Sequence, residues 1–162
     1  MDGPGISDEH VHRLSGVPRA TRQDWAKAGL IGKQTTPMAW EALREVVVLK
    51  ELRDVLGASS GDAVFRQLRA GLPEVAQGAP PVEAVIDLHW LEAEWISSDS
   101  QIAAAARFGN AVRVIDVTET LARARRGFDV VARERTPSED ELAKRRPRQP
   151  RTGRRRASDP PE

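Results

Sequence analysis

The sequence predicts an α+β fold. Residues 6–70 form an all-helical unit, residues 82–135 a small three-stranded accessory or dimerisation unit in the order β-β-α-β-α, and residues 136–162 a disordered basic tail. Three observations carry this reading. Apolar residues recur at helical spacing up to about residue 70 and alternate from Val82 to Trp90. The stretch 71–81, GLPEVAQGAPP, is rich in Gly, Pro and Ala and reads as a linker. The last 19 residues hold 8 basic side chains and 4 prolines and almost nothing apolar, too little to offset the entropy of ordering.

Each element has a local cause. Ser7 can cap a helix from Asp8 to about Leu14, with Asp8 and Glu9 facing the positive end of its dipole. Ser15-Gly16-Val17 is a turn. Pro18 suits the first position of a second helix, which Gly29 ends. Ile31 to Thr36 is a short connection. Pro37 then opens a long helix to about residue 56, with Trp40, Leu43, Val46, Val47, Leu52 and Leu56 on its apolar stripe and Gly57 as its stop. Ser60 caps a further helix to about Ala70, with Val64, Phe65 and Leu68 facing inward. In the second unit, Val82, Ala84, Ile86, Leu88 and Trp90 alternate with Glu83, Val85, Asp87 and His89, a half-buried strand with Glu83, Asp87 and His89 on its solvent side. Ala93–Ile96 returns as a hairpin. Ser98 or Asp99 starts a helix to about Arg107, and Val112–Val117 is the third strand. Thr118 and Glu119 open a last helix striped by Leu121, Ala124, Phe128 and Val131.

Composition excludes several classes. The chain has 162 residues and no Cys, which removes disulfides, thiolate metal sites and a Cys nucleophile. His10 and His12 are two apart and face different sides of a helix, so they make a poor metal pair. No apolar run approaches the length of a membrane span, and the first residues do not resemble a signal peptide. The expectation is a cytoplasmic, nucleoid-associated, non-enzymatic protein without cofactor, metal or membrane partner. The net charge of +1 conceals an asymmetry: residues 1–57 are neutral, 58–143 carry −5 and 144–162 carry +6. A basic tail on such a body points to a polyanionic partner.

Two short helices joined by a Gly-containing turn form a helix-turn-helix pattern. Val11, Leu14, Val17 and Trp25 can lock the crossing. Arg19, Arg22, Gln23 and Ala26 then fall on the outer face of the second helix, where Arg suits guanine or phosphate and Gln suits adenine. Trp25 is expected on the face opposite Arg22. Trp40, Trp90 and Trp95 are expected in the core.

The run Gly16-Val17, Thr21, Trp25 and Gly29-Leu30-Ile31, followed by Leu52-Arg53-Asp54-Val55-Leu56-Gly57, resembles the MerR superfamily of bacterial transcription regulators over residues 6–70. The resemblance implies a winged helix-turn-helix, sequence-specific binding of double-stranded DNA and a homodimer. It places Arg19, Thr21, Arg22, Gln23, Lys27 and Lys33 at the DNA; separately, the charge of the tail is expected to bring Lys144, Arg145, Arg146 and Arg148 onto phosphates. The sequence departs from the family at Gln23 and Asp24, where a basic residue and Tyr are usual, and in its short connection with only Lys33 as a cation. Two alternatives accompany regulation: a DNA-binding accessory factor of recombination, partition or phage lysogeny, and a protein-interaction adaptor that does not bind DNA.

Overall fold

The computed structural model describes residues 4–96 and 112–135. The helix expected from Ser98 or Asp99, the tail 136–162 and its cations Lys144, Arg145, Arg146 and Arg148 lie outside the described residues. In order, the elements are α1 (Asp8–Ser15), α2 (Arg19–Lys27), α3 (Trp40–Leu56), α4 (Ala58–Leu68), a 3-10 turn (Arg69–Gly71), α5 (Leu72–Val75), β1 (Glu83–Asp87), β2 (Glu92–Ile96), β3 (Val112–Asp116) and α6 (Thr118–Arg135). The mixed helix and sheet content is that of an α+β chain.

The turn between α1 and α2 is built by short polar contacts. Gly16 has φ +70°, a conformation glycine adopts without strain, and its N–H donates to the His12 carbonyl at 2.7 Å. Ser15 Oγ donates to the Val11 carbonyl at 2.6 Å and accepts from Val17 N at 3.1 Å. Gly29 closes α2 at φ +72°, with Gly29 N bonded to the Ala26 carbonyl and Leu30 N to that of Trp25. Those two bonds are the paired pattern that satisfies the last carbonyls of a helix.

Three boundaries differ from the sequence expectation. The long helix begins at Trp40, not Pro37, because Met38 is extended and exchanges backbone hydrogen bonds of 2.9 and 2.8 Å with Ile6. Helix α4 starts at Ala58, directly after Gly57, so Ser60 lies inside it and is no cap. The expected linker is helical over Leu72–Val75, and Leu72 is buried.

The sheet is antiparallel throughout, in the order β2-β1-β3. Strand β1 stops at Asp87, earlier than the alternation suggests. Asp87 Oδ1 accepts from His89 N at 2.8 Å and Trp90 N at 3.0 Å and folds the chain into a turn. Leu88 and Trp90 are consequently exposed, Trp90 by 71%, whereas Asp87 is buried. Val85 is buried on the second face of the strand with Ile96 and Val112, so the expected split into apolar and solvent sides does not hold. On the other face Ala84, Ile86 and Ile115 join Val117, Leu121, Ala124 and Phe128 in one cluster with Val11, Val17, Trp25, Leu43, Leu49 and Phe65.

The apolar core therefore runs unbroken through both segments. Leu14 of α1 rests on Gly127 of α6, where a Cβ would stand 2.3 Å from Leu14 Cδ2. Trp40 of α3 meets Phe128 of α6 with ring centroids 5.9 Å apart. The side chain of Gln67 in α4 donates to the Leu91 carbonyl and accepts from Ala93 N, bonding the outer edge of β2. Trp95 Nε1 donates to the Leu68 carbonyl at 2.7 Å.

Helices α3 and α4 approach one another closely. A Cβ on Gly61 would lie 2.8 Å from both N and Cα of Arg53. Gly61→Ala removes a helix-interior glycine, which by propensity alone stabilises by about 1 kcal/mol. The clash is with backbone and dominates, so a net destabilisation of roughly 1–3 kcal/mol is expected in urea unfolding. An unchanged or higher midpoint would show that α3 and α4 are not this close.

Candidate nucleic-acid interface

Helices α1 and α2 are joined by three residues, Gly16 to Pro18, and both pack on α3. Val11, Val17, Trp25, Leu30 and Ile31 supply the buried contacts. The guanidinium of Arg53 covers the outer side of the Trp25 ring at 5.0 Å and is itself held by Asp62 through two bonds of 2.7 and 3.2 Å.

The structure separates the expected binding residues into two sets. Arg22 is 1% exposed, so it cannot reach a base edge. The expectation that it lies on the outer face fails for a simple reason. Trp25 is the one large apolar residue of α2 and must face the core. Arg22 lies three residues before it on the same side of the helix. The arginine stem fills that space, and Asp8 at the start of α1 takes the charge at 3.1 Å. Trp25 and Arg22 thus share a face rather than opposing one another. Ala26 is half-buried for the same reason, and Thr21 is half-buried with no side-chain hydrogen bond among the described residues.

The exposed face of α2 consists of Arg19, Ala20, Gln23, Asp24 and Lys27. Arg19 pairs with the second oxygen of Asp8 at 3.3 Å, with 66% of its side chain in solvent. Such a pair contributes little and is easily exchanged for another anion. Among the described residues, Gln23 and Lys27 have no side-chain partner. Lys33 is exposed in the connection before α3, also unpaired among the described residues. That connection forms no strand hairpin: Gly32 N donates to Glu45 Oε2 at 2.8 Å and Gln34 Nε2 to the Gly32 carbonyl, and the nearest β-bridge is Ile6 with Met38.

Asp8 does more than face the helix dipole, the only role its sequence position suggests. Its carboxylate gathers Arg22, Arg19 and the Thr36 hydroxyl, the last at 3.3 Å. The signal that points to this role is Arg22 itself, which a buried face obliges to find a carboxylate.

The arrangement offers hydrogen bonding and positive charge. Among the described residues no group of three or more His, Asp or Glu side chains is placed to hold a metal ion, and no helix is long and apolar enough to cross a membrane. Comparison with protein-family models, curated proteins and solved structures finds no match to this chain.

Removing Asp8 leaves Arg22 enclosed and uncompensated. Asp8→Ala is expected to destabilise by roughly 3 kcal/mol, the lower end for a broken buried pair because Asp8 retains contact with water. Arg22→Met, which removes the charge and keeps the stem, is expected to restore most of that stability in the Asp8→Ala background. Chemical denaturation of the two single variants and the double variant measures both effects, and strictly additive effects would dismiss the pairing.

Proposed function

We propose that the chain binds double-stranded DNA through α2 and acts as a sequence-specific transcription regulator of the MerR-like, winged helix-turn-helix type. The observation that carries this reading is the exposed row Arg19, Gln23 and Lys27 at four-residue spacing on the second of two helices joined by a three-residue turn. Such a helix can lie in a major groove with its first residues at base edges. Arg19 then exchanges Asp8 for guanine or phosphate, Gln23 reads adenine, and Lys27 and Lys33 contact phosphates. Lys33 stands where a wing would be, without a hairpin to carry it. The tail cations Lys144, Arg145, Arg146 and Arg148 supply phosphate contacts beside the site and offset the acidic middle of the chain. A homodimer reading two half-sites supplies affinity that one short helix lacks.

Selection of bound sequences from a random duplex library tests the reading directly. An enriched palindromic site is expected, and no enrichment over input would overturn it. On the selected site Arg19→Ala and Gln23→Ala should each lower discrimination against random DNA by about 1–3 kcal/mol. Lys27→Ala and Lys33→Ala should weaken both alike. Asp24 on the same face opposes phosphate, so Asp24→Asn should tighten binding to both.

Ending the chain after Ala143 should lower affinity for the selected site and for random DNA by similar factors. It should also flatten the slope of log K against log salt by about 0.9 for each phosphate that the tail neutralises. Retention of both affinity and slope would exclude the tail from binding.

A further inference from the structure

Other arginines withdrawn from solvent among the described residues have a carboxylate. Arg22 has Asp8, Arg53 has Asp62 and Arg69 has Glu45. Arg44 of α3 is the exception. It is 6% exposed and its side chain forms no hydrogen bond or ion pair among the described residues; its Nε is enclosed without an acceptor, as is that of Arg22, but Arg22 has Asp8 at its Nη2 and Arg44 has no carboxylate there. A lysine so placed could release its proton, but a guanidinium remains charged at any pH the protein meets. A permanent charge so far withdrawn from water, with no carboxylate beside it among the described residues, is unfavourable enough to call for an anion from beyond them.

Arg44 lines a cavity of about 410 Å³ between α3, the segment 76–82 and the start of α6. That size suits a small organic molecule. The walls are Trp40 and Leu121, with Gln77 as a neutral hydrogen-bonding group. A second cation, Arg125, stands 5.1 Å over the Trp40 ring and is tied to Asp129. The one acidic lining residue, Glu41, is exposed and does not reach Arg44. We propose that this cavity binds a small organic anion, a carboxylate carried on a planar apolar body, with Arg44 taking the carboxylate and Trp40 and Leu121 the body. A guanidinium presents parallel N–H donors that match a carboxylate in two bonds. The apolar walls favour such a molecule over a bare inorganic anion or a phosphate backbone. None of the α2 residues enters this inference, so it is tested apart from DNA binding.

Titration calorimetry of the full chain with benzoate, its neutral analogue benzamide and inorganic phosphate tests the proposal. Benzoate is expected to bind with one-to-one stoichiometry and at least about tenfold more tightly than either of the others, the effect of one charge-assisted pair. Arg44→Met should abolish the preference for benzoate over benzamide while retaining the far-ultraviolet dichroism of the wild type. Glu41→Gln, at an exposed position that does not test folding, should tighten benzoate binding by removing a like charge from the cavity. Equal affinity for benzoate and benzamide, tighter binding of phosphate than of benzoate, or no binding of any probe would overturn the proposal. Should Arg44→Met fail to fold, the benzoate–benzamide comparison and Glu41→Gln still decide it.

Discussion

Helix α3 is the constraint on which the other elements depend. Its buried residues include Trp40, Leu43, Val46, Val47, Val48, Leu49 and Leu52, which occupy most of its circumference rather than one stripe. A helix so apolar has to be covered on nearly all sides. α1 and α2 cover one side, α4 another and α6 a third. The faces α1 and α2 turn to solvent are therefore decided by what they must turn to α3. The exposed row of α2 is what remains once Trp25 and Arg22 have been committed inward.

The helices are legible in the sequence because their punctuation is local. Gly16, Gly29 and Gly57 end elements where expected, and the stripe Leu121, Ala124 and Phe128 identifies the inner face of the last helix. The strands β2 and β3 are legible for the same reason. Contacts between residues far apart in the chain are not. The bridge from Ile6 to Met38 delays α3, and Asp87 ends β1 by accepting two backbone bonds that alternation cannot reveal. Val85 reads as a solvent position only if the sheet has one buried face, and it has two.

Charged residues mislead most. An arginine in a short polar helix looks like surface, and periodicity alone permits Arg22 either side. The decision depends on which face Trp25 takes, and then on whether a carboxylate waits there. Asp8 answers for Arg22. For Arg44 the apolar neighbours in α3 forecast burial, but no sequence pattern distinguishes a buried arginine with a partner from one without. Of the candidate interface, Arg19, Gln23, Lys27 and Lys33 retain the exposure expected of them, Thr21 is half-buried, and Arg22 is exchanged for a structural role.

The bonding of Gln67 to β2 also bears on how copies of this chain can meet. Strand β2 is an outer strand, and an outer strand ordinarily offers its free N–H and C=O groups to any extended chain that drifts against it. Gln67 already occupies the Leu91 carbonyl and the Ala93 N–H, imitating the first rung of a neighbouring strand with a side-chain amide. Glu92 and Glu94 add negative charge along the same strand, which repels a second copy carrying the same residues. Both features oppose growth of the sheet from molecule to molecule at this border.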